Sequence, residues 1–235
     1  MNSKKILLQV LSATLICFLS SCKQIPTMEE KYHLSTGKWR ELLADDLSNC
    51  GYKPGSWIME NDVLTPAVGD DLLCTKERFG DFILDLEFKL APQANSGIFI
   101  RMDKINDLAT ALEVQVLDDS WDETKKYPQN VKCGAICGHL APTRSMVKEP
   151  GQWNHCIITC KANKVYVVLN GEQIIDMNLD LWTDAKKNPD GTDVPPWLNK
   201  IACRDMPREG HIAFQGRHGN HPVWYRNIKI KSWDQ

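Results

Sequence analysis

The sequence predicts an all-β domain, a two-sheet jelly-roll sandwich with long irregular loops. Three observations lead there. Short runs rich in apolar, β-branched and aromatic residues recur along the chain, each bounded by Gly, Pro, Asn or Asp. Several of them alternate apolar and polar residues with a period of two, as half-buried strands do. Helical periodicity is weak almost everywhere, and about eleven short strands without a long helix fit two stacked sheets.

Taken in order, Trp57–Glu60 and Val63–Thr65 are expected to pair across a tight turn at Asn61-Asp62. Leu72–Thr75 follows. In Phe82–Lys89, Phe82, Leu84, Leu86 and Phe88 face one way, and Asp85, Glu87 and Lys89 the other. In Gly97–Arg101, Ile98 and Ile100 oppose Phe99 and Arg101; in Ala111–Leu117, Leu112, Val114 and Val116 oppose Glu113 and Gln115. Trp153–Lys161 leads into Lys164–Leu169, which Asn170-Gly171 joins to Glu172–Met177 in a two-residue hairpin. His211–Gln215 and Trp224–Trp233 complete the set. The irregular stretches Asp118–Pro150 and Asp180–Arg208 are too long for plain connections and too rich in tryptophan for disorder. They are expected to be ordered walls around a site.

The N-terminus has a different character. Lys4 and Lys5 precede an apolar run from Ile6 to Leu19, and Leu19-Ser20-Ser21-Cys22 follows. A basic start, a short apolar run and small residues mark residues 1–21 as a secretory signal. The run is shorter than the ~20 residues that span a bilayer. Leu-Ser-Ser-Cys also resembles a bacterial lipobox, which implies lipidation at Cys22 and tethering to the cell envelope, with the outer membrane preferred because Lys23 is not an aspartate. The alternative is an ordinary signal with a chance cysteine. Residues 22–35 read as a tether and 36–235 as one domain. Removing Lys4 and Lys5 takes the formal charge from −2 to about −4, which gives no electrostatic footprint for nucleic acid. Of nine cysteines, Cys17 leaves with the signal and Cys22 is the lipid site. The remaining seven are expected to be mostly buried free thiols with one or two disulfides. The Cys133–Cys137 and Cys156–Cys160 spacings do not suit zinc, since a zinc knuckle has shorter spacing and turn glycines, and Cys156 and Cys160 on one strand would stand about 13 Å apart.

If the three strands between Gly80 and Asp118 share a sheet, Glu87, Arg101, Glu113 and Gln115 meet on one polar surface. Each also has a structural reading. The acids can be solvated or salt-bridged, and Arg101 can bridge to either of them. Asn95 and Asp118 can be turn residues. Trp121, Trp182 and Trp197 can stack on sugar rings or pack in the core. Glu87 and Glu113 can also serve as the carboxylate pair of a conventional glycosidase.

The chain resembles the 3-keto-disaccharide hydrolase domain family, a concanavalin-like (laminin-G-like) jelly roll, from Trp39 to Trp233. The matching pieces are Gly80-Asp81-Phe82 through Glu87-Phe88-Lys89-Leu90; Asn95-Ser96-Gly97-Ile98 with Arg101; Glu113-Val114-Gln115-Val116-Leu117-Asp118; Gly151-Gln152-Trp153-Asn154; Leu169-Asn170-Gly171; and Gly210-His211-Ile212-Ala213-Phe214-Gln215, followed by His218-Gly219 and Tyr225-Arg226-Asn227-Ile228. There are two departures. Gly216-Arg217 separates Gln215 from His218 where relatives often have Gln-Asp-His-Gly. Lys132-Cys133-Gly134-Ala135-Ile136-Cys137-Gly138 stands where they often have Asp-Cys-Gly-Ala-Ile-Tyr-Asp.

The resemblance implies cleavage of glycosides oxidised at sugar carbon 3. The ketone acidifies the hydrogen on carbon 2, a base removes it, and the enolate expels the group on carbon 1 by elimination or net hydrolysis. Such a site needs a base of raised pKa and a positive group at the ketone oxygen. Glu113, His218, Glu87 and Arg101 are the expected catalytic residues. Gln115, Asn95, Asp118, Gln215, Trp121 and Trp182 are expected to bind an oligosaccharide or glycoside. A divalent metal ion is a possible Lewis acid. A non-catalytic sugar-binding module is the other reading, because fold alone does not fix function.

Overall fold

In the computed structural model, which describes residues 38–233, thirteen strands form two antiparallel sheets. They are β1 (Arg40–Glu41), β2 (Cys50–Gly51), β3 (Trp57–Glu60), β4 (Val63–Pro66), β5 (Leu73–Thr75), β6 (Phe82–Leu90), β7 (Asn95–Met102), β8 (Leu112–Leu117), β9 (Trp153–Lys161), β10 (Lys164–Leu169), β11 (Glu172–Asn178), β12 (His211–Phe214) and β13 (Val223–Ser232). The larger sheet runs β11-β10-β9-β6-β13-β4-β3, with β1 also on β13; the smaller runs β2-β5-β12-β7-β8. All eleven expected strands are present within a residue or two. The additional pair, β1 and β2, are two residues each, too short to carry a period. Among the described residues no helix is long and apolar enough to cross a membrane.

Local chemistry explains the turns. Asn61 and Asp62 both have positive φ, at 51° and 61°, as do Asn170 and Gly171, at 51° and 88°. Two successive left-handed residues make the turn whose twist matches a hairpin, and Asn, Asp and Gly adopt them at least cost. Their strands pair in register, Glu60 with Val63 and Leu169 with Glu172.

The core lies between the sheets. Phe82, Leu84, Leu86 and Phe88 of the larger sheet meet Ile98, Ile100, Val114 and Phe214 of the smaller. Burying a large apolar side chain contributes ~1.5–3 kcal/mol, so this seam is what fixes both sheets. All seven cysteines from Cys50 to Cys203 are buried free thiols, which corrects the expected disulfides. Burial pushes Cys50, Cys156, Cys160 and Cys203 up to about 12, so they behave as small core hydrophobes.

β6 belongs to the larger sheet, whereas β7 and β8 belong to the smaller. The three strands therefore do not share a polar face, and two expectations are corrected. Glu87 points off the far side of the larger sheet, accepting from Arg226 Nε at 2.8 Å and Asn227 Nδ2 at 2.6 Å. Arg101 breaks the alternation of β7. Its φ is +54°, and the pairing of β12 with β7 slips between Phe99 and Met102. This bulge reverses the facing of the strand. Met102 joins Phe99 on the outer face, and Arg101, 2% exposed, turns back to donate to Gly80 O, Ala162 O and Asp81 Oδ1.

Candidate functional site

The outer face of the smaller sheet is the floor of a cavity of about 730 Å³. Its rows follow from the register. Gly97 of β7 lies opposite Gln115 of β8, and Phe99 lies opposite Glu113. On the other side of β7, Ala213 of β12 stands beside Phe99, and Gln215 N donates to Gly97 O at 2.9 Å. His218 closes the same end, its amide donating to Asn95 O at 3.1 Å.

Glu113, Gln115, Asn95, Gln215 and His218 thus line one cavity, while Glu87 and Arg101 lie outside its lining. Gln115 Nε2 donates to Asn95 Oδ1 at 2.9 Å, which fixes both amides and leaves their remaining polar atoms for a ligand. His218 Nδ1 lies 3.7 Å from Asp70 Oδ2, an ion pair when the ring is protonated.

Glu113 is the chemically distinctive member. Its side chain lies over Gly97, where an added Cβ would stand 2.1 Å from Oε1. At 9% exposed, the carboxyl is raised to about 7 by burial, partly offset by a hydrogen bond from the Cys137 thiol. A carboxylate with no cation to hold it charged trades protons near neutral pH.

The walls come from the two long loops. In the first, Gly134 N donates to Gln115 O, Gln115 N to Ala135 O, and Cys137 N to Glu113 O, so residues 134–137 extend the sheet edge beyond β8. Cys137 therefore enters the cavity wall beside Glu113. Lys132 is buried and donates to Thr124 O. The second loop supplies Pro195, Trp197 and Leu198. Asn188 ties the loops together, donating to Gly138 O at 3.0 Å and accepting from Trp182 Nε1 at 3.1 Å.

Three expected binding residues lie outside the cavity lining. Asp118 is a turn residue, accepting from Gln93 N and from Ser120 N and Oγ. Trp182 is a core residue, 7% exposed. Trp121 is half-buried and contributes its carbonyl to Thr124 Oγ1. Their places at strand ends and in Trp-bearing loops matched the pattern of a site, but local turn and core demands took them. Conversely, Asp70, Tyr127 and Cys137 line the cavity without any periodic signal in the sequence to mark them.

Among the described residues no group of three or more His, Cys, Asp or Glu is placed to hold a metal ion. The side chains of the cavity therefore do not make a site for a divalent ion held by the protein alone. A second cleft, of about 580 Å³, lies among Arg78, Asp81, Arg208 and Glu209. Its arginines are already engaged, Arg78 by Asp103 and Glu209, and Arg208 by Asp180 and main-chain carbonyls.

The chain is similar to known proteins over nearly all of these elements. A curated 3-keto-disaccharide hydrolase of Bacteroides thetaiotaomicron is 29% identical over 185 residues, covering 71% of this chain and 63% of that protein. The chain thus spans under two thirds of that relative. The crystal structure of a putative glycosyl hydrolase from Parabacteroides distasonis superposes with a TM-score of 0.80 at 38% identity, covering 83% of this chain and all of the other. A second putative glycosyl hydrolase from the same organism shares the fold, with a TM-score of 0.66 at 20% identity over 88% of this chain and 98% of that one. Residues 36–231 match the model of the 3-keto-alpha-glucoside-1,2-lyase-like domain, and the chain belongs to that family.

Proposed function

We propose that this protein cleaves 3-keto-glycosides by removing the proton on sugar carbon 2 and eliminating the group on carbon 1. One observation carries the reading: Glu113 lies at the floor of a sugar-sized cavity with its carboxyl raised to about 7. A base for a carbon acid works best with a pKa near the operating pH. Glu113 takes the carbon-2 proton and the electrons of that bond pass to the ketone as an enolate. They then form the double bond between carbons 1 and 2 as the bond from carbon 1 to oxygen breaks. The leaving oxygen takes a proton, and Glu113, now the acid, is placed to return it. Water added across the double bond afterwards gives net hydrolysis. His218 donates a hydrogen bond toward the ketone oxygen, the role that Arg101 is turned away from filling, and Gln115, Asn95 and Gln215 bind hydroxyls. The placement of Glu87 and Glu113 on the outer faces of different sheets speaks against a conventional glycosidase built on that pair.

The leader and Leu19-Ser20-Ser21-Cys22 support an envelope location with the domain tethered through Cys22. The test of activity is incubation of the domain with a glucoside and with its 3-keto derivative. Aglycone release from the keto-sugar alone, lost in Glu113→Gln, is expected. Release from the plain glucoside would replace the reading by ordinary hydrolysis. Binding without release from either would make the protein a sugar-binding module.

A further inference from the structure

The cavity is divided. Along the sheet floor the polar groups gather at one end, where His218, Asn95, Gln115 and Gln215 sit. One register position further on come Phe99 and Glu113, and past them Leu108. Beside Glu113 the wall is apolar. Val131 and Leu198 pack on Cys137, and Pro195 seals it so closely that an added Cβ on Gly138 would stand 2.7 Å from its Cδ.

Two large aromatic side chains complete this end from opposite loops. Tyr127 of the first loop is 39% exposed and Trp197 of the second 62%. Exposed aromatic surface lining a concave site marks a ligand contact. The charged and amide groups on that side are few. They are the side chains of Asn130 and Asp193, the latter held by Lys187 Nζ at 2.7 Å.

Glu113 stands on the boundary between the halves, so the reacting carbons sit there. Resting on the reaction proposed above, we infer that the sugar lies in the polar half, its leaving group points into the apolar half, and the substrate is an aryl glycoside. A second sugar ring in that half would set hydroxyl groups against the apolar faces of Val131, Pro195 and Leu198, and each hydroxyl that lost water there without a new partner would cost ~1–3 kcal/mol. An aromatic ring carries no such cost and stacks on Tyr127 and Trp197.

The test compares the 3-keto β-glucosides of phenol and 2-naphthol, leaving groups of similar acidity, with 3-keto-cellobiose. The naphthyl compound is expected to show a KM lower than the disaccharide by about tenfold, and Trp197→Ala to raise the naphthyl KM about tenfold, well beyond its effect on the disaccharide. Equal KM values for naphthyl compound and disaccharide, or equal losses on both in Trp197→Ala, would overturn the inference. Titration calorimetry with unoxidised 2-naphthyl β-glucoside and with cellobiose separates the two layers. If no keto-sugar is cleaved but the naphthyl glucoside binds about tenfold tighter and Trp197→Ala removes that margin, the reaction fails and the aryl site stands. If the two bind alike, the aryl site fails whatever the chemistry.

Discussion

The carboxyl of Glu113 occupies the space that a side chain at residue 97 would take: a Cβ on Gly97 would stand 2.1 Å from Glu113 Oε1 and 2.9 Å from its Cδ. The two sit diagonally on neighbouring strands, Gly97 opposite Gln115 and Glu113 opposite Phe99. Glycine here leaves room for a reactive group rather than making a turn. Gly97→Ala should therefore push the carboxyl off the floor while the strand survives, because Glu113 is flexible and its backbone need not move. Displacing a catalytic group by about an ångström costs on the order of 100-fold. A fall in kcat of that size with an unchanged circular dichroism spectrum is expected; full activity would mean that the position of the carboxyl does not matter.

Arg101 should prove a stability residue. It joins the β7 bulge to Gly80, Asp81 and the Ala162 turn through its guanidinium, and at 2% exposure the guanidinium itself is buried. Arg101→Met is expected to lower the unfolding free energy by about 3 kcal/mol, read from denaturant curves, with KM unchanged in the folded fraction. A normal midpoint would remove this assignment.

Glu87→Gln provides the complementary case. The Arg226 guanidinium and Asn227 amide hold the Glu87 carboxyl below the usual carboxylate range, on the opposite sheet from the cavity. The partly exposed pair contributes at most about 1 kcal/mol, so kcat/KM should stay within about twofold of the parent. A loss as large as that of Glu113→Gln would mean the cavity has been misplaced.

These two residues show where the sequence was legible and where it was not. Period-two alternation in Phe82–Leu90 and Leu112–Leu117 correctly separated core from outer face, because side-chain direction in a regular strand is local geometry. Which sheet each strand joins is not local, and consecutive strands β6 and β7 went to different sheets. Alternation also assumes no inserted residue. The bulge at Arg101 broke that assumption, and no glycine was present to signal the positive φ. Glu113 and Gln115 were assigned to the outer face because they lie on regular β8, whereas Asn95 lay outside the strand that alternation marked. Asp70, Tyr127 and Cys137 were missed because loop folding, which has no period, brings them in. Trp182 was misjudged because a tryptophan in a long loop reads alike whether it faces a ligand or, as here, holds Asn188.

The lipid anchor lies outside the described residues and has its own test. Expressed in a bacterium with its leader, the full chain is expected to partition with membranes and take up labelled palmitate, and Cys22→Ser to do neither. Palmitate uptake by the Cys22→Ser chain would place the lipid elsewhere. Cys50 and the six cysteines beyond it are buried, so they do not compete as acylation sites in the folded domain.

Glu113 also makes stability and activity run in opposite directions with pH. Its carboxyl is raised from 4.5 to about 7 in the folded protein, chiefly by burial. Between those values the folded state binds the proton more tightly than the unfolded chain does, so folding is progressively weakened as pH rises from 4.5 towards 7. The full cost, of order 3 kcal/mol at 1.36 kcal/mol per pKa unit, is present above pH 7 and absent below 4.5. Glu113→Gln removes it. The variant should melt higher than the parent at pH 8 and close to it at pH 4.5, while turnover falls by about 100-fold or more. In the parent, kcat/KM should climb through pH ~7 as the base loses its proton. If the variant shows no gain in melting temperature at pH 8, the carboxylate is not strained by burial, and the explanation for its basicity fails with it.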